Sequence, residues 1–424
     1  MNSSIIWIFD IFPAIFSNFS ERMWILLGHF HFSSSAKLLL SLLILCLLLA
    51  GCGASSAPST EEQEDFGSFT LDFLTIGKGD AFLLSTPKNQ HYLIDTGKDQ
   101  DYVQIARALR VQEIQTLEGI FLTHGHKDHA GGLATLLEAF PTKSVYYWEE
   151  DKYSYKEIFP WEIVPRFDTE LIGLHSGDLL DLGGVTAEVW LPPQPDPENE
   201  NNNSLVLMLT HGHVKFLMMG DAEKEEEALL LESSLDLRAQ VLKLGHHGED
   251  DASTPAFLDR VQPELGLIAG NQEENPESVD PVITERLAKR NIEPVYSECT
   301  GLGWAILSDG HDFRVEILKD RAFPVTLQLS FREVDREGQR VTVQNDSKET
   351  ADLGGCLIRS VKKDELYLFP AGTLLAPGEA ITVACRDASS PGDLIWDMDS
   401  VWQGSKDKAR LYDRNLNKLD EDKP

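Results

Sequence analysis

The chain has 424 residues, enough for two domains and a targeting segment. Lys and Arg number 37 against 69 Asp and Glu, a formal net charge of −32. That balance excludes tight nucleic-acid binding through bulk charge attraction, because such affinity comes from neutralising phosphates with clustered cations. Lys78, Lys98 and Lys127 are scattered and make no such cluster.

In chain order, the first feature is Lys37 followed by the apolar run Leu38 to Leu49. Its length suits a secretory signal and falls short of the roughly 20 residues that span a bilayer. Leu49-Ala50-Gly51-Cys52 resembles the bacterial lipoprotein box. The resemblance implies removal of residues 1–51, a lipid on Cys52, and anchoring to the outer face of the cell membrane, with residues 52–67 as a flexible tether. An uncleaved signal anchor is the alternative, and Met23 is an alternative start. Cys299, Cys356 and Cys385 then remain. Cys356 and Cys385 either pair in an oxidising compartment or stay as two buried thiols.

Tyr92-Leu93-Ile94-Asp95-Thr96-Gly97 reads as a buried strand ending in an acidic turn. Tyr102 to Arg110 carries its apolar residues on one helical face. The densest chemistry follows, in Thr123-His124-Gly125-His126-Lys127-Asp128-His129. Imidazoles and a carboxylate at this spacing suit two neighbouring ions, His124 and His126 on one and Asp128 and His129 on the other. Zinc fits such a donor set best, and the carboxylate extends it to manganese. Gly131 to Phe140 should form the helix behind this loop, and Pro192 to Asn203 reads as a surface loop. Phe216 to Asp221 and Val241 to Gly248 repeat the design of an apolar strand running into polar ligand types, Asp221 in one and His246-His247 in the other. Glu223 to Leu231 and Pro281 to Arg290 are further helix candidates.

Taken together, Asp95-Thr96-Gly97, His124 to His129, Asp221 and His246-His247-Gly248 resemble the ordered motifs of the metallo-β-lactamase fold. Phe73 to Ala81, Asn203 to Leu207 and Gly301 to Gly310 are similar to segments of the extracytoplasmic hydrolase domain of ComEC-type competence proteins. The likeness covers residues 68–318. It implies an α/β architecture, a four-layer αβ/βα sandwich with a dimetal site at one edge, and hydrolysis of phosphodiesters during DNA uptake. By the same resemblance His124, His126, Asp128, His129, Asp221 and one of His246 and His247 are metal ligands, with Asp221 bridging. The other His faces substrate, so Asp128, His246 and His247 carry the catalytic expectation. Asp95, Asn203 and Ser204 are expected to support the ligands. The fold often supplies a further His before the bridging Asp. His175, His211 and His213 fall at no suitable strand end, and Asn203 and Ser204 lie nearer that position. Glu249 stands where the branch often has Ser.

Beyond Lys319 the pattern turns to short period-two strands: Thr326–Ser330, Arg340–Asn345, Cys356–Arg359, Leu366–Pro370 and Ala380–Cys385. Val343-Gln344-Asn345, Asp352 to Gly355, Phe369 to Thr373, Leu375 to Glu379 and Ala409 to Asp413 resemble the lamin-tail domain over residues 325–419. That likeness implies an all-β immunoglobulin-like sandwich with an unknown ligand and no catalytic residues. Three functions follow as expectations: a nuclease or phosphodiesterase with nucleic acid as substrate, a hydrolase of a small phosphoester or carboxylic ester of the cell envelope, or a non-catalytic surface scaffold.

Overall fold

The computed structural model describes residues 64–270, 279–299 and 301–422. The expected signal segment, Cys52 and most of the expected tether lie outside the described residues. No helix among the described residues is long and apolar enough to cross a membrane.

Among the described residues, one mixed sheet has eight strands. Their spatial order is Phe313–Leu318, Gly303–Ser308, Phe69–Leu74, Phe82–Ser85, His91–Ile94, Leu117–Phe121, Thr142–Trp148 and Glu170–Leu174. A second sheet has seven strands: Glu293–Tyr296, Leu265–Ile268, Val241–Lys243, Val214–Met218, Val206–His211, Thr186–Trp190 and Leu179–Asp181. Alternation sets the layers. Phe69, Leu71 and Phe73 meet Phe216, Met218 and Leu207 between the two sheets. Leu74, Leu83 and Leu93 face the other way, onto the helices Tyr102–Val111 and Leu133–Ala139. On the far side, Lys224–Glu232, Pro255–Val261 and Pro281–Ala288 cover the second sheet through Leu230, Phe257 and Ile283. Helix, sheet, sheet and helix make the four layers. Each buried Phe or Leu side chain contributes about 1.5–3 kcal/mol to holding them together.

Asp72 breaks the apolar pattern of its strand. It is 1% exposed, its Oδ2 accepts from Gln112 Nε2 at 2.8 Å, and its Oδ1 has no partner. Burial pushes its carboxyl up to about 7, against the lowering effect of the Gln112 hydrogen bond. Its unfolded value is 3.8, so the folded chain holds the proton longer. Stability therefore falls as pH rises from about 4 to about 7, and the penalty is complete above that, on the order of 4 kcal/mol. Asp72→Asn should raise the denaturation midpoint at pH 8, with the gap over the parent closing by pH 4. An equal gap at both pH values would show that the buried charge is not its cause.

The C-terminal region is all β. Leu329–Asp335, Arg340–Asn345, Ala380–Cys385 and Leu394–Trp396 form one sheet, and Leu366–Leu368, Leu357–Ser360, Ala409–Tyr412 and Lys418–Asp422 another. Val341, Val343 and Val383 from the first pack with Ile358 and Leu411 from the second around Trp396 and Trp402. Cys356 and Cys385 are buried free thiols in this core, so of the two readings open in sequence the structure has the unpaired one. The first strand starts at Leu329, later than Thr326, because pairing with Arg340–Asn345 begins at Leu329↔Asn345.

This sandwich is joined to the first unit by apolar contact. Leu357, Leu368, Tyr412 and Leu416 belong to the same core as the helices Tyr102–Val111 and Leu133–Ala139. Arg107 bolts the seam, donating to Asp320 Oδ1 at 2.8 Å, Asn415 O at 2.5 Å and Arg321 O at 2.6 Å, with its guanidinium over the Phe323 ring.

Candidate metal centre

Parallel pairing brings the polar strand ends together. His91–Ile94 runs parallel to Leu117–Phe121 with Ile94 opposite Phe121, so Asp95 and Thr123 leave the sheet side by side. Thr123 donates to Asp95 through its backbone N at 2.8 Å and its hydroxyl at 2.7 Å. In the second sheet Met218 lies opposite Lys243 in parallel register, which sets Gly220-Asp221 beside the turn that carries His246 and His247. Gly125 admits close packing of the intervening loop. A Cβ there would lie 2.6 Å from the backbone of Ser154 and Tyr155, whereas the Gly125 N–H donates to Ser154 Oγ at 2.8 Å.

The side chains converge on one carboxylate oxygen, Asp221 Oδ2. His129 Nε2 is 3.0 Å from it, His247 Nε2 3.1 Å and His124 Nε2 4.0 Å. All three nitrogens are buried and none has a hydrogen bond. Asp128 Oδ2 lies 3.8 Å from His247 Nε2. Among the described residues four groups have donor atoms close enough to share an ion. His124–His129–Asp221 and Asp128–His129–His247 meet at the histidines around Asp221 Oδ2, and Asp80–Asp95–His129 and Glu223–His246–Asp251 lie beside them. Imidazole nitrogens gathered around a carboxylate with no hydrogen bond of their own suit divalent cations.

Residues 74–270 match the family model of the Metallo-beta-lactamase superfamily. The chain carries a metallo-β-lactamase domain. ComE operon protein 3 of Bacillus subtilis is 25% identical over 248 residues, covering 54% of this chain and 32% of that protein. Competence protein ComA of Neisseria gonorrhoeae is 24% identical over 262 residues, covering 60% of this chain and 34% of that one. The chain thus spans about a third of the length of these relatives. The solved metallo-β-lactamase fold protein YhfI from Bacillus subtilis is 12% identical, covers 56% of this chain and 98% of its own, and has a TM-score of 0.39.

Charge inside this cluster is set by burial against close partners. Burial pushes the His129 imidazole down, but Asp221 and Asp95 outweigh it and hold it well above its ordinary value. Burial also pulls His124 well below that value, with His129 adding to the effect. Asp221 resists burial because His129, His247 and Lys243 surround it, and its carboxyl stays well below the usual range. Asp128 is likewise lowered, as His129 and His247 overcome its burial.

Sequence placed the remaining residues less fully. His126 stands aside from the four donor groups: its ring is 4.6 Å from that of His124, and its Nε2 pairs with Glu200 Oε2 at 3.1 Å. Asp95 holds His129 Nδ1 at 2.7 Å. Ser204 Oγ accepts from the Asp221 backbone N at 2.9 Å. Asn203 works further out, fixing its loop through Asp196 and Asp151. His175 is exposed beside Asp178, and His211 is bound to Ser308, so neither joins the cluster.

Of the adjacent histidines, His247 turns inward and is 1% exposed, whereas His246 turns toward Asp251 (3.0 Å) and Glu223 (3.6 Å). Both have left-handed backbones, φ 41° and 53°. Such conformations cost a non-glycine residue about 1–2 kcal/mol and here aim two neighbouring rings apart. Glu249 is met by Lys78 at 2.6 Å, so its charge at the rim is balanced. Four residues went unnoticed as site components in sequence: Asp80, Glu200, Lys243 and Asp251. Lys243 had a signal, a lone cation within the apolar run Val241–Leu244.

Proposed function

We propose that this domain is a dimetal phosphodiesterase, with nucleic acid outside the cytoplasm as its substrate and a role related to DNA uptake. The convergence of three partnerless Nε2 atoms on Asp221 Oδ2 carries the reading. The likeness of the chain to competence proteins supports the choice of substrate. In this reading His124 and Asp221 hold one ion, with His126 as the further candidate, and Asp128, His129, His247 and Asp221 hold the other. Zinc is the first expectation and manganese the second. Bound there, the pair supplies an acidified water and stabilises charge on the phosphoryl oxygens.

The protein's own part is positional. Asp95 fixes the His129 tautomer through Nδ1, leaving Nε2 free to ligate. Asp251 orients His246 through Nδ1, and Nε2 of that ring faces Asn201 Nδ2 at 3.3 Å. With a second proton on Nε2, as the imidazolium, His246 is the proton donor to the leaving oxygen. Lys78, tied to Glu249 at the rim, is the nearby cation for a substrate phosphate. A lipid on Cys52 would anchor the protein to the outer face of the membrane. The C-terminal sandwich, similar in sequence to lamin-tail domains, would bind or position a partner.

The second reading is hydrolysis of a small phosphoester or carboxylic ester of the cell envelope, favoured by the net charge of −32. Purified protein loaded with zinc or manganese should cut single- or double-stranded DNA, with Asp128→Ala as control. The salt dependence of binding separates the readings: a polymer gives a steep slope and a small ester does not. Two bound ions without DNA cleavage would move the assignment to the small ester. Absence of bound metal would leave only a scaffold.

A further inference from the structure

The dimetal reading leaves a buried carboxylate unused. Asp80 is 1% exposed and lies on the turn after Gly77-Lys78-Gly79, within the site rather than at its rim. Its two oxygens face different groups. Oδ2 is held by Lys243 Nζ at 2.6 Å. Oδ1 has no hydrogen bond, nor has His247 Nδ1, and these two buried atoms are 3.6 Å apart. On its other edge the same imidazole presents Nε2 to Asp221 and Asp128.

A neutral imidazole that ligates through Nε2 carries its proton on Nδ1 and needs an acceptor there. His129 has one in Asp95, at 2.7 Å from Nδ1, with Nε2 on the opposite side facing Asp221. We propose that Asp80 is the matching positioning carboxylate for His247: its Oδ1 accepts the Nδ1 proton, fixes the tautomer, and aims Nε2 at the second ion. This rests on the dimetal reading above and assigns the orientation of that site.

Lys243 completes the arrangement. An ammonium has three donors, and three acceptors surround this one: Asp80 Oδ2, Gly220 O at 2.6 Å and Asp221 Oδ1 at 3.3 Å. One residue therefore joins the turn at Asp80, the turn at Asp221 and the strand leading to His247. With Asp80 Oδ2 taken, only Oδ1 is left for the imidazole. With Asp221 Oδ1 taken, Asp221 presents the single oxygen Oδ2 to the histidines.

Asp80→Asn separates these roles. An amide oxygen still accepts from Lys243, but the NH2 then meets the Nδ1 proton of His247, donor against donor. Titrating metal-free protein with zinc against a chromophoric chelator should give two ions for the parent. In the variant the affinity for one of them should fall about 10–100-fold while the other is unchanged. The zinc-loaded parent should also show a slowly exchanging Nδ1–H resonance for His247, assigned by its loss in His247→Gln, so the question survives if Asp80→Asn folds poorly. Affinities for both ions unchanged from the parent in Asp80→Asn, or no such resonance in the parent, overturns the pairing and leaves the dimetal reading intact. A parent that takes up no zinc overturns both.

Discussion

Asp221→Ala is expected to lose metal uptake and to lower hydrolysis by about 10³-fold or more, the equivalent of several kcal/mol of stabilisation supplied by the ions. The size of the effect follows from position. Asp221 Oδ2 is the one atom that faces His124, His129 and His247 together, at 4.0, 3.0 and 3.1 Å. Each other candidate ligand can be removed while leaving a carboxylate between the histidines. Removing this one leaves three imidazoles facing one another, and Lys243 keeps only Asp80 as a charged partner. Circular dichroism would establish that the variant folds, and metal analysis beside a phosphodiester assay gives the result. Two retained ions with undiminished hydrolysis would remove Asp221 from the centre of the site.

The next largest effect separates two neighbours in sequence. His247→Ala should lose one of two ions and nearly all hydrolysis. His246→Ala should keep both ions and slow the reaction about 10²–10⁴-fold, the usual worth of a positioned proton donor. The backbone gives the reason. Successive left-handed residues send the ring of His247 into the cluster and that of His246 toward Asp251 and Glu223. If His246→Ala lost an ion while His247→Ala did not, the assignment of the two rings would be reversed.

Sequence alone was most informative where the physics is local. An apolar strand followed by a turn with Asp or His is legible in a window of ten residues, and each such segment does end at the site: Asp95, His124 to His129, Asp221 and His247. The C-terminal strands Arg340–Asn345 and Ala380–Cys385 stand at the bounds that their alternation gives. The helix expected at Tyr102–Arg110 runs Tyr102–Val111, because one apolar face fixes its length.

Tertiary structure decided the pairings. Asp80 and Lys243 are 163 positions apart, and Lys243 and Asp221 are 22 apart. The register that sets Met218 against Lys243 makes Lys243 and Asp221 neighbours, and Asp80 reaches Lys243 from the other sheet. The pairing of His126 with Glu200, and of Lys78 with Glu249, likewise depends on loops meeting across the two sheets. Which of two adjacent histidines enters the cluster is set by two dihedral angles that residue type does not encode. The seam through Arg107, Leu357 and Tyr412 depends on complementary apolar faces of two separately legible units. Periodicity shows that each unit has an inside. It carries no information on which part of the outside is also covered, because that depends on the partner surface.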